Sequence, residues 1–562
     1  MLTNELQADV MDKLRAIYGS RAQSAMQKLE DVLAGHKKIP PSRKSYWDEK
    51  DIVLITYADI LRSAGQTPLS TLNHFLRGWL AGIVNIVHIL PFFPYSSDDG
   101  FSVIDYREVN PDYGTWDDVR EIGERFDLMY DLVLNHVSAR SKWAAAFAKD
   151  QEKYRDFFIA MDPSLDFSRV VRPRSLPLFT EFPTVNGNKH LWTTFSSDQL
   201  DLNFANPDVM LEMLDIFLMY IENGARIVRL DAIAYLWKEL DTLCIHLPQT
   251  HLFVQLMRDI LKVMAPETLI LTETNVPHEE NMSYLGNGRN EAHMVYQFTL
   301  PPLLLHTFLN EDATDLNRWA SDLALPSNET TFLNFTASHD GIGVRPLEGI
   351  ISREKVAHTV EEVKRRGGMV STKHNQDGTQ SPYELNISYF SALKDPEEKN
   401  DIRTIRRFLA SQAIKFSLQG IPAVYFHNLM GTPNAIGLAE ESGAPRSINR
   451  RKYNMDEFHD LLASPTSTAS YIFAGMSGMM RARRKEKAFH PNVPQKILDL
   501  HPSIFAVQRN DVISMTNVSR HSLKVSLPGH EGRKAYDLIS CEDVSLGSIH
   551  FHDYQARWIK LK

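Results

Sequence analysis

The sequence predicts an α/β fold, a (β/α)8 (TIM) barrel with inserted loop-rich domains and a C-terminal all-β domain. Apolar segments of strand length alternate with amphipathic helical segments, and none of these units carries a glycine-rich phosphate fingerprint. Continuous apolar strands indicate a parallel sheet covered on both faces. Eight such units favour a closed barrel over a doubly wound open sheet. The predicted strands are 52–57, 83–90, 128–136, 226–231, 268–273, 294–298, 331–335 and 422–426.

Length and composition indicate an enzyme-sized globular chain. Its 562 residues, 43% of them hydrophobic, suit a barrel of roughly 250 residues with insertions and an added module. The net charge of −9 argues against a nucleic-acid partner. The N-terminus lacks the pattern of a signal peptide, and no apolar run is long enough to span a membrane. Cys244 and Cys541 form no metal or disulfide pattern. We therefore expect a soluble cytoplasmic protein, whose oligomeric state is not readable.

Four regions are predicted along the chain. Residues 1–48 are charged and helix-prone and form an N-terminal helical extension, and 49–487 form the catalytic barrel. Two irregular intervals interrupt the barrel, 138–203 (domain B) and 341–393 (domain B′). Long insertions at the carboxyl ends of barrel strands are where active-site walls are built. Short alternating segments in 488–562 indicate a C-terminal β domain.

The helix before the fourth strand shows the signals that define these βα units. Asn206 is a predicted N-cap, Pro207 occupies the first turn and Gly224 ends the helix. Further helical segments are predicted at 69–80, 116–125 and 253–264. Each of them leads into the next apolar strand.

The fourth strand ends in an arginine and a carboxylate two residues apart. Arg229 and Asp231 share one face of the strand. A cation at that range lowers the pKa of a carboxyl group and favours its ionised form. An ionised acid at the carboxyl end of a barrel strand suits a glycosidic nucleophile. On this motif alone, a structural Arg–Asp pair that ends the strand is an equal alternative.

Acids and histidines follow several other strands. Carboxyl ends of barrel strands meet around one pocket, so these side chains are expected to converge. Singly, each has a structural explanation: an acid can bond barrel groups, and a histidine can be satisfied within a loop. Three acids after strands four, five and seven are harder to assign to stability, because buried unpaired acids are costly. The residues concerned are Asp98, Asp131, His136, Asp231, Glu273, His339 and Asp340.

Four segments together resemble the signature regions of the α-amylase superfamily. They are Asp131–His136, Arg229–Asp231, Thr272–Glu273 and Ser338–Asp340, in matching order and spacing. The resemblance implies a nucleophile, a general acid/base, a transition-state stabiliser and three residues that hold sugar hydroxyls. In that order they are Asp231, Glu273, Asp340, and the group of Arg229, His136 and His339.

The physical requirements agree with these implied roles. A retaining mechanism needs two carboxyl groups about 5 Å apart, one ionised to attack and one protonated to assist departure. Asp231 has a cation, Arg229, two residues away. Glu273 follows an apolar strand with no adjacent cation in the sequence, so we expect burial and neighbouring acids to raise its pKa.

Further motifs resemble the sucrose phosphorylase group within this superfamily. The resemblance implies that Asp98 and Arg446 clamp the far hydroxyls of a single glucose and close the pocket to longer chains. It implies that Phe195 and Tyr235 flank the glucosyl site, and that Arg174 and Tyr383 meet phosphate or acceptor. The segments that carry it are 90–94, 98–106, 172–174, 300–306, 339–343 and 446–450.

Two departures from that group concern the leaving-group side. Glu384 stands where sucrose phosphorylases usually carry glutamine, and Asn275 where they carry histidine. The segments 190–195, 272–278 and 381–384 resemble instead the glucosylglycerate phosphorylases of the same branch, whose acceptor is the anion glycerate. Cations that could receive its carboxylate, unless they are solvated surface charges, are Arg174, Lys189, Arg345 and Lys373.

The resemblance thus implies a retaining phosphorylase that transfers glucose from 2-O-α-glucosylglycerate to inorganic phosphate. The products would be α-glucose 1-phosphate and glycerate. The alternatives are a sucrose, sucrose 6-phosphate or glucosylglycerol phosphorylase, a plain hydrolase, and an inactive binding subunit. We expect no cofactor and no required metal. Some relatives in the superfamily hold calcium near the third strand, but in this sequence Asn135 is the single residue that suggests such a site.

Overall fold

The computed structural model describes residues 3–375, 379–530 and 533–562, without the side chain of His374. Residues 1–2, 376–378 and 531–532 belong to the predicted N-terminal extension, domain B′ and the C-terminal domain, and they lie outside the described residues. The domain boundaries stated above stay predictions.

Eight parallel strands close into a barrel, which confirms the predicted fold class. Each strand pairs with its sequence neighbours, and the first pairs with the eighth. All eight are almost entirely buried, as their continuous apolar sequences require. The strands β1 to β8 are Val53–Thr56, Ile86–Ile89, Asp127–Val133, Ala225–Asp231, Leu269–Thr272, Met294–Tyr296, Thr331–Asn334 and Ile421–Tyr425.

The third strand is shorter than predicted. It ends at Val133, and His136–Ser138 forms a separate strand that pairs antiparallel with Gln199–Asp201. The turn between them carries Asn135 and His136 out of the barrel wall toward its carboxyl end. A run of apolar residues could not reveal this break, because both strands are buried.

Helices surround the barrel and cover the outer face of its strands. The predicted helix 253–264 begins earlier, at Pro248, because a proline is well tolerated in the first turn of a helix. The predicted helix 69–80 spans Pro68–Phe75 and continues as a π-turn at Leu76–Leu80. The other helices of eight or more residues between the first and last barrel strands are Trp116–Gly123, Pro207–Glu222, Leu300–Asn310, Thr314–Ser321, Arg353–Arg365 and Ile402–Ser417.

Two N-terminal helices, Asn4–Tyr18 and Ala22–Gly35, pack onto the barrel. Val10 and Leu14 are fully buried in the same hydrophobic core as the barrel strands. The hydroxyl of Tyr18 donates to the carbonyl oxygen of Phe204 at 3.0 Å. These helices are therefore part of the folded core.

The two predicted insertions contain small antiparallel sheets. The first has a hairpin, Phe179–Thr184 with Gly187–Trp192. The second has a three-stranded sheet of Ile342–Gly343, Gln380–Asn386 and Met369–His374, with the second of these in the middle. Both insertions follow barrel strands at the carboxyl ends and so stand around the mouth of the barrel.

The C-terminal part is all-β, as predicted, after a last long helix at Thr468–Arg483. A six-stranded and a two-stranded sheet enclose their own apolar cluster. The strands are Lys496–Ile497, Ile504–Arg509, Val512–Asn517, Leu523–Val525, Lys534–Asp537, Glu542–Ser545, Ile549–Phe551 and Ala556–Leu561. No helix within the described ranges combines the length and apolar character that a membrane crossing requires.

Candidate active site

One pocket opens at the carboxyl ends of the barrel strands and gathers the predicted site residues. Arg229 and Glu384 lie behind lining residues. Asp131 and the candidate cations Lys189, Arg345 and Lys373 also lie outside the lining. Chain segments from six strand exits contribute, which only barrel closure brings together. The lining side chains among those predicted are Asp98, His136, Arg174, Phe195, Asp231, Tyr235, Glu273, Asn275, His339, Asp340, Tyr383 and Arg446.

Arg229 is held rigidly beneath the pocket and directs its charge at Asp231. Its Nη1 donates to Asp231 Oδ1 at 2.7 Å and also to the carboxylate of Asp131. Asp131 in turn accepts from Nε2 of His88 at 2.6 Å. The guanidinium lies 5.6 Å from the ring centroid of Phe101, which favours a cation over an aromatic face. Asp131 is thus a structural partner of the arginine.

The pKa of Asp231 corrects one prediction. From the sequence, Arg229 is predicted to lower this pKa. Burial is the larger effect and raises the pKa of Asp231 above its usual range; Arg229 opposes that rise, and the negative charges of Glu273, Asp131 and Asp340 add to it. Arg229 is shared with Asp131, so its charge is already partly neutralised. Burial depth was not readable from the sequence.

Glu273 follows β5 and faces the same cavity. Its Oε2 accepts from the backbone N–H of Ala232, the residue after Asp231, at 3.1 Å. Burial raises the pKa of Glu273 and the negative charge of Asp340 adds to this, while Arg229 and Arg446 oppose it. The predicted direction is confirmed. Although no cation is adjacent to Glu273 in the sequence, two arginines from other elements act on it in the fold.

The surroundings of Asp340 shift its pKa in the opposite direction from that of Glu273. Nη1 of Arg446 lies 2.5 Å from Asp340 Oδ1. Although burial favours the neutral acid, the positive charges of Arg446, Arg229 and other arginines outweigh it and lower the pKa of Asp340. The backbone oxygen of Asp340 accepts from the amide of Asn449 at 3.0 Å, which fixes the loop.

Glu384 lies behind Arg446 and does not line the pocket. Its carboxylate accepts from Nε of Arg446 at 2.9 Å and from Nη2 at 2.7 Å, and the residue is 1% exposed. A Cβ at Gly341 would lie 2.6 Å from Cγ of Glu384, so glycine is required there. The predicted contact of Glu384 with phosphate or acceptor stays a prediction, and its visible partner is Arg446.

Asp98 lies in the pocket wall in a left-handed conformation, with φ of 52°. The neighbouring Asp99 shares that conformation, with φ of 48°. Arg450 holds both, at 3.4 Å from Asp98 and 2.8 Å from Asp99. Strained residues persist where their surroundings fix them. Arg450 is the last residue of the segment 446–450, but its pairing with these two acids could not be predicted from the sequence.

The two histidines of the site are oriented by their neighbours. Nε2 of His136 lies 3.1 Å from the carbonyl oxygen of Phe101 and 3.1 Å from Nε2 of Gln199. The ring of His339 stacks on that of Phe101, with centroids 4.6 Å apart. Burial lowers the pKa of both histidines. Phe101 and Gln199 line the pocket and were missed, since neither carries a charge that marks a site in sequence.

The opposite wall is formed by loops. The guanidinium of Arg174 lies 5.9 Å from the ring centroid of Tyr383. Asn275 packs tightly on Gly343, where a Cβ would lie 2.4 Å from Oδ1 of the asparagine. The rings of Phe195 and Tyr235 meet edge to face with centroids 5.5 Å apart. Asn275 follows Glu273 by two residues, so this wall stands next to Glu273.

The place considered for calcium is filled by a lysine. Nζ of Lys238 lies 2.5 Å from each of three oxygens: Asn135 Oδ1, Asp201 Oδ2 and the carbonyl of Tyr235. Burial lowers the pKa of Lys238, and Asp201 opposes this. Across the described ranges, no group of three His, Cys, Asp or Glu residues could hold a metal ion.

A closed parallel barrel with three acids and two histidines at its carboxyl end defines an α-amylase-type catalytic domain. The sequence profile "Alpha amylase, catalytic domain" matches residues 81–340. The glucosylglycerate phosphorylase of Allomeiothermus silvanus is 49% identical, over 88% of this chain and 89% of its own. That of Escherichia coli is 43% identical, over 98% and 99%.

A solved structure has the same architecture. The sucrose 6F-phosphate phosphorylase from Thermoanaerobacter thermosaccharolyticum superposes with a TM-score of 0.75 and 26% identity, over 91% of this chain and 100% of its own. The chain belongs to the α-amylase superfamily, in the branch of the glucosylglycerate and sucrose phosphorylases.

Proposed function

We propose that this protein is a retaining glycoside phosphorylase. It transfers glucose from 2-O-α-glucosylglycerate to inorganic phosphate, and it releases α-glucose 1-phosphate and glycerate. One observation carries the proposal. Asp231 and Glu273 face the same pocket, and of these two acids Arg229 forms a hydrogen bond with Asp231, whereas Glu273 accepts from a backbone N–H. The glucosylglycerate phosphorylases among its relatives support the choice of substrate.

In the first step, a carboxylate oxygen of Asp231 attacks the anomeric carbon. The bond to the glycerate oxygen breaks, and Glu273 gives that oxygen its proton. In the second step, a phosphate oxygen attacks the same carbon, the bond to Asp231 breaks, and Glu273 takes the phosphate proton. Two inversions at one carbon retain its configuration.

This sequence needs the proton on Glu273 and the charge on Asp231. Burial raises the pKa of both groups, so the pair retains a proton near neutral pH. Charge-assisted hydrogen bonds are stronger than neutral ones. The bond from Arg229 therefore favours the negative charge on Asp231, whereas Glu273 accepts only from a backbone N–H.

The pocket suits one glucose unit. Its far end is occupied by Arg446, which is bound to Asp340 and Glu384, and by Asp98, which is held by Arg450. Such buried ion pairs are costly to break by removing one partner. We infer that Asp98 and Arg446 meet the far hydroxyls and leave no room for a longer chain.

Arg174 is the proposed phosphate contact, with Tyr383 beside it. Among the described residues its side chain has no acid within ion-pair distance, although it lines the pocket and its charge acts on Asp340. Guanidinium groups bind phosphate oxygens in a bidentate manner. Arg174 to Ala should therefore raise the KM for phosphate.

The test is release of glucose 1-phosphate with inorganic phosphate, comparing glucosylglycerate, sucrose and glucosylglycerol at equal concentration. We expect a clear preference for glucosylglycerate. Preference for sucrose or glucosylglycerol would overturn the acceptor but keep the mechanism. Free glucose released at the same rate with and without phosphate would instead identify a hydrolase.

We also propose a cytoplasmic location. Both cysteines are free, Cys244 being buried and Cys541 exposed. Free exposed thiols suit a reducing compartment. Fractionation of cells that express the protein would test this, and recovery outside the cytoplasm would contradict it.

A further inference from the structure

A second arginine, Arg345, lies behind the wall that carries Asn275 and has no close acidic partner within the described ranges. The side chain of Arg345 is 13% exposed, and its nearest carboxylates are Glu280 at 3.9 Å and Glu348 at 4.0 Å. Within the described part of the chain it donates no side-chain hydrogen bond, and its Nε is buried without an acceptor. A buried guanidinium with unmet donors is unfavourable unless an anion supplies acceptors.

A second cation stands next to it. Lys373 is 22% exposed, and Glu348, at 4.0 Å, is the one acid among the described residues within ion-pair distance of it. Burial lowers the pKa of Lys373, and the charge of Arg345 lowers it further. Glu348 is 56% exposed and Glu280 is also bonded to His246. The acids that the structure describes thus compensate the two cations only weakly.

The backbone connects this cluster to the pocket wall. Arg345 comes two residues after Gly343, which packs on Asn275. The N–H of Val344 donates to the carbonyl of Tyr383 at 3.1 Å. Burial raises the pKa of Tyr235, and the positive charges of Arg345 and Arg174 both oppose that rise. Arg345 therefore adds positive potential on the side where the acceptor leaves.

We propose that Arg345, supported by Lys373, binds the carboxylate of the glycerate group and so selects an anionic acceptor. This inference rests on the proposed function and assigns the acceptor charge to one of the four cations that the sequence left open. Lys189 is unsuitable, because its ammonium already lies over the ring of Phe147, 5.0 Å from the ring centroid. Arg174 then remains the proposed contact for phosphate.

The test compares kcat/KM for glucosylglycerate and for the uncharged analogue glucosylglycerol at saturating phosphate. In Arg345→Ala we expect a loss of roughly tenfold to a hundredfold for glucosylglycerate, the range for a hydrogen bond to a charged group. We expect little change for glucosylglycerol or in the KM for phosphate. Arg345→Lys should recover part of the lost kcat/KM for glucosylglycerate, because it keeps the positive charge. Such recovery would also show that the site still folds.

Lys189→Ala is the matched control and should keep the preference of the wild type. Equal losses for both substrates in Arg345→Ala, or an unchanged preference, would overturn the inference. Calorimetric titration of glycerate into the wild type and Arg345→Ala tests it separately: equal affinities overturn it. If the wild type binds glycerate through Arg345 but releases no glucose 1-phosphate, the proposed function fails and this site stands.

Discussion

Arg446 binds Glu384 through two nitrogens, at 2.9 and 2.7 Å, while its third nitrogen lies 2.5 Å from Asp340. One guanidinium therefore joins an acid inside the pocket to an acid behind it. The bidentate contact fixes the direction in which Arg446 points. It also divides the positive charge of Arg446 between two carboxylates.

Glu384→Gln should move the alkaline limb of the kcat/KM profile to lower pH. Arg446 opposes the raised pKa of Glu273, and without the Glu384 charge it should oppose it more strongly. Activity needs protonated Glu273, so it is present below that pKa and lost as pH rises through it. A lower pKa means an earlier loss. An unchanged alkaline limb, measured with glucosylglycerate across pH, would refute this coupling.

Asp231→Asn should reduce kcat by a factor on the order of 10⁴ or more, as removal of a nucleophile does in other covalent mechanisms. The amide keeps the shape of the side chain but cannot form the glycosyl ester. Circular dichroism should match that of the wild type. Retained activity would identify a different nucleophile or a protein whose pocket serves only for binding.

Lys238→Ala should destabilise the fold by roughly 3–5 kcal/mol, because it leaves buried Asp201 without its cation. The three freed oxygens include a carboxylate, an amide and a carbonyl, which are calcium ligands. We expect added calcium to raise the Tm of this variant and to leave that of the wild type unchanged. A wild-type Tm that falls in chelator would contradict this assignment.

Leu14→Ala should destabilise the protein by about 2–5 kcal/mol, the cost of truncating a buried leucine. Leu14 joins the N-terminal helix to the barrel core. The neighbouring Arg15, whose side chain is 65% exposed, is the matched control, and Arg15→Ala should change stability by no more than about 0.5 kcal/mol. Similar thermal or urea unfolding of both variants would show that the helix does not contribute to the core.

Local sequence patterns were enough to predict the eight strands and the acids that follow them. Strand segments such as 269–271 are apolar throughout, which is a local pattern that burial on both faces demands. The acids after β4 and β5 converge because all parallel strands end at the same rim. The resemblance then implied roles for them that local chemistry allows.

The pKa shifts and the partners of the charged side chains depend on the folded structure and could not be predicted from the sequence. The pKa of Asp231 is raised because its burial outweighs Arg229, and burial depends on the whole barrel. The acids that pair with Arg446 and Lys238 come from segments that are distant in sequence. Arg345 has no close acidic partner among the described residues. A charge interacts through space over several ångströms, so its effect depends on the folded geometry and not on spacing along the chain.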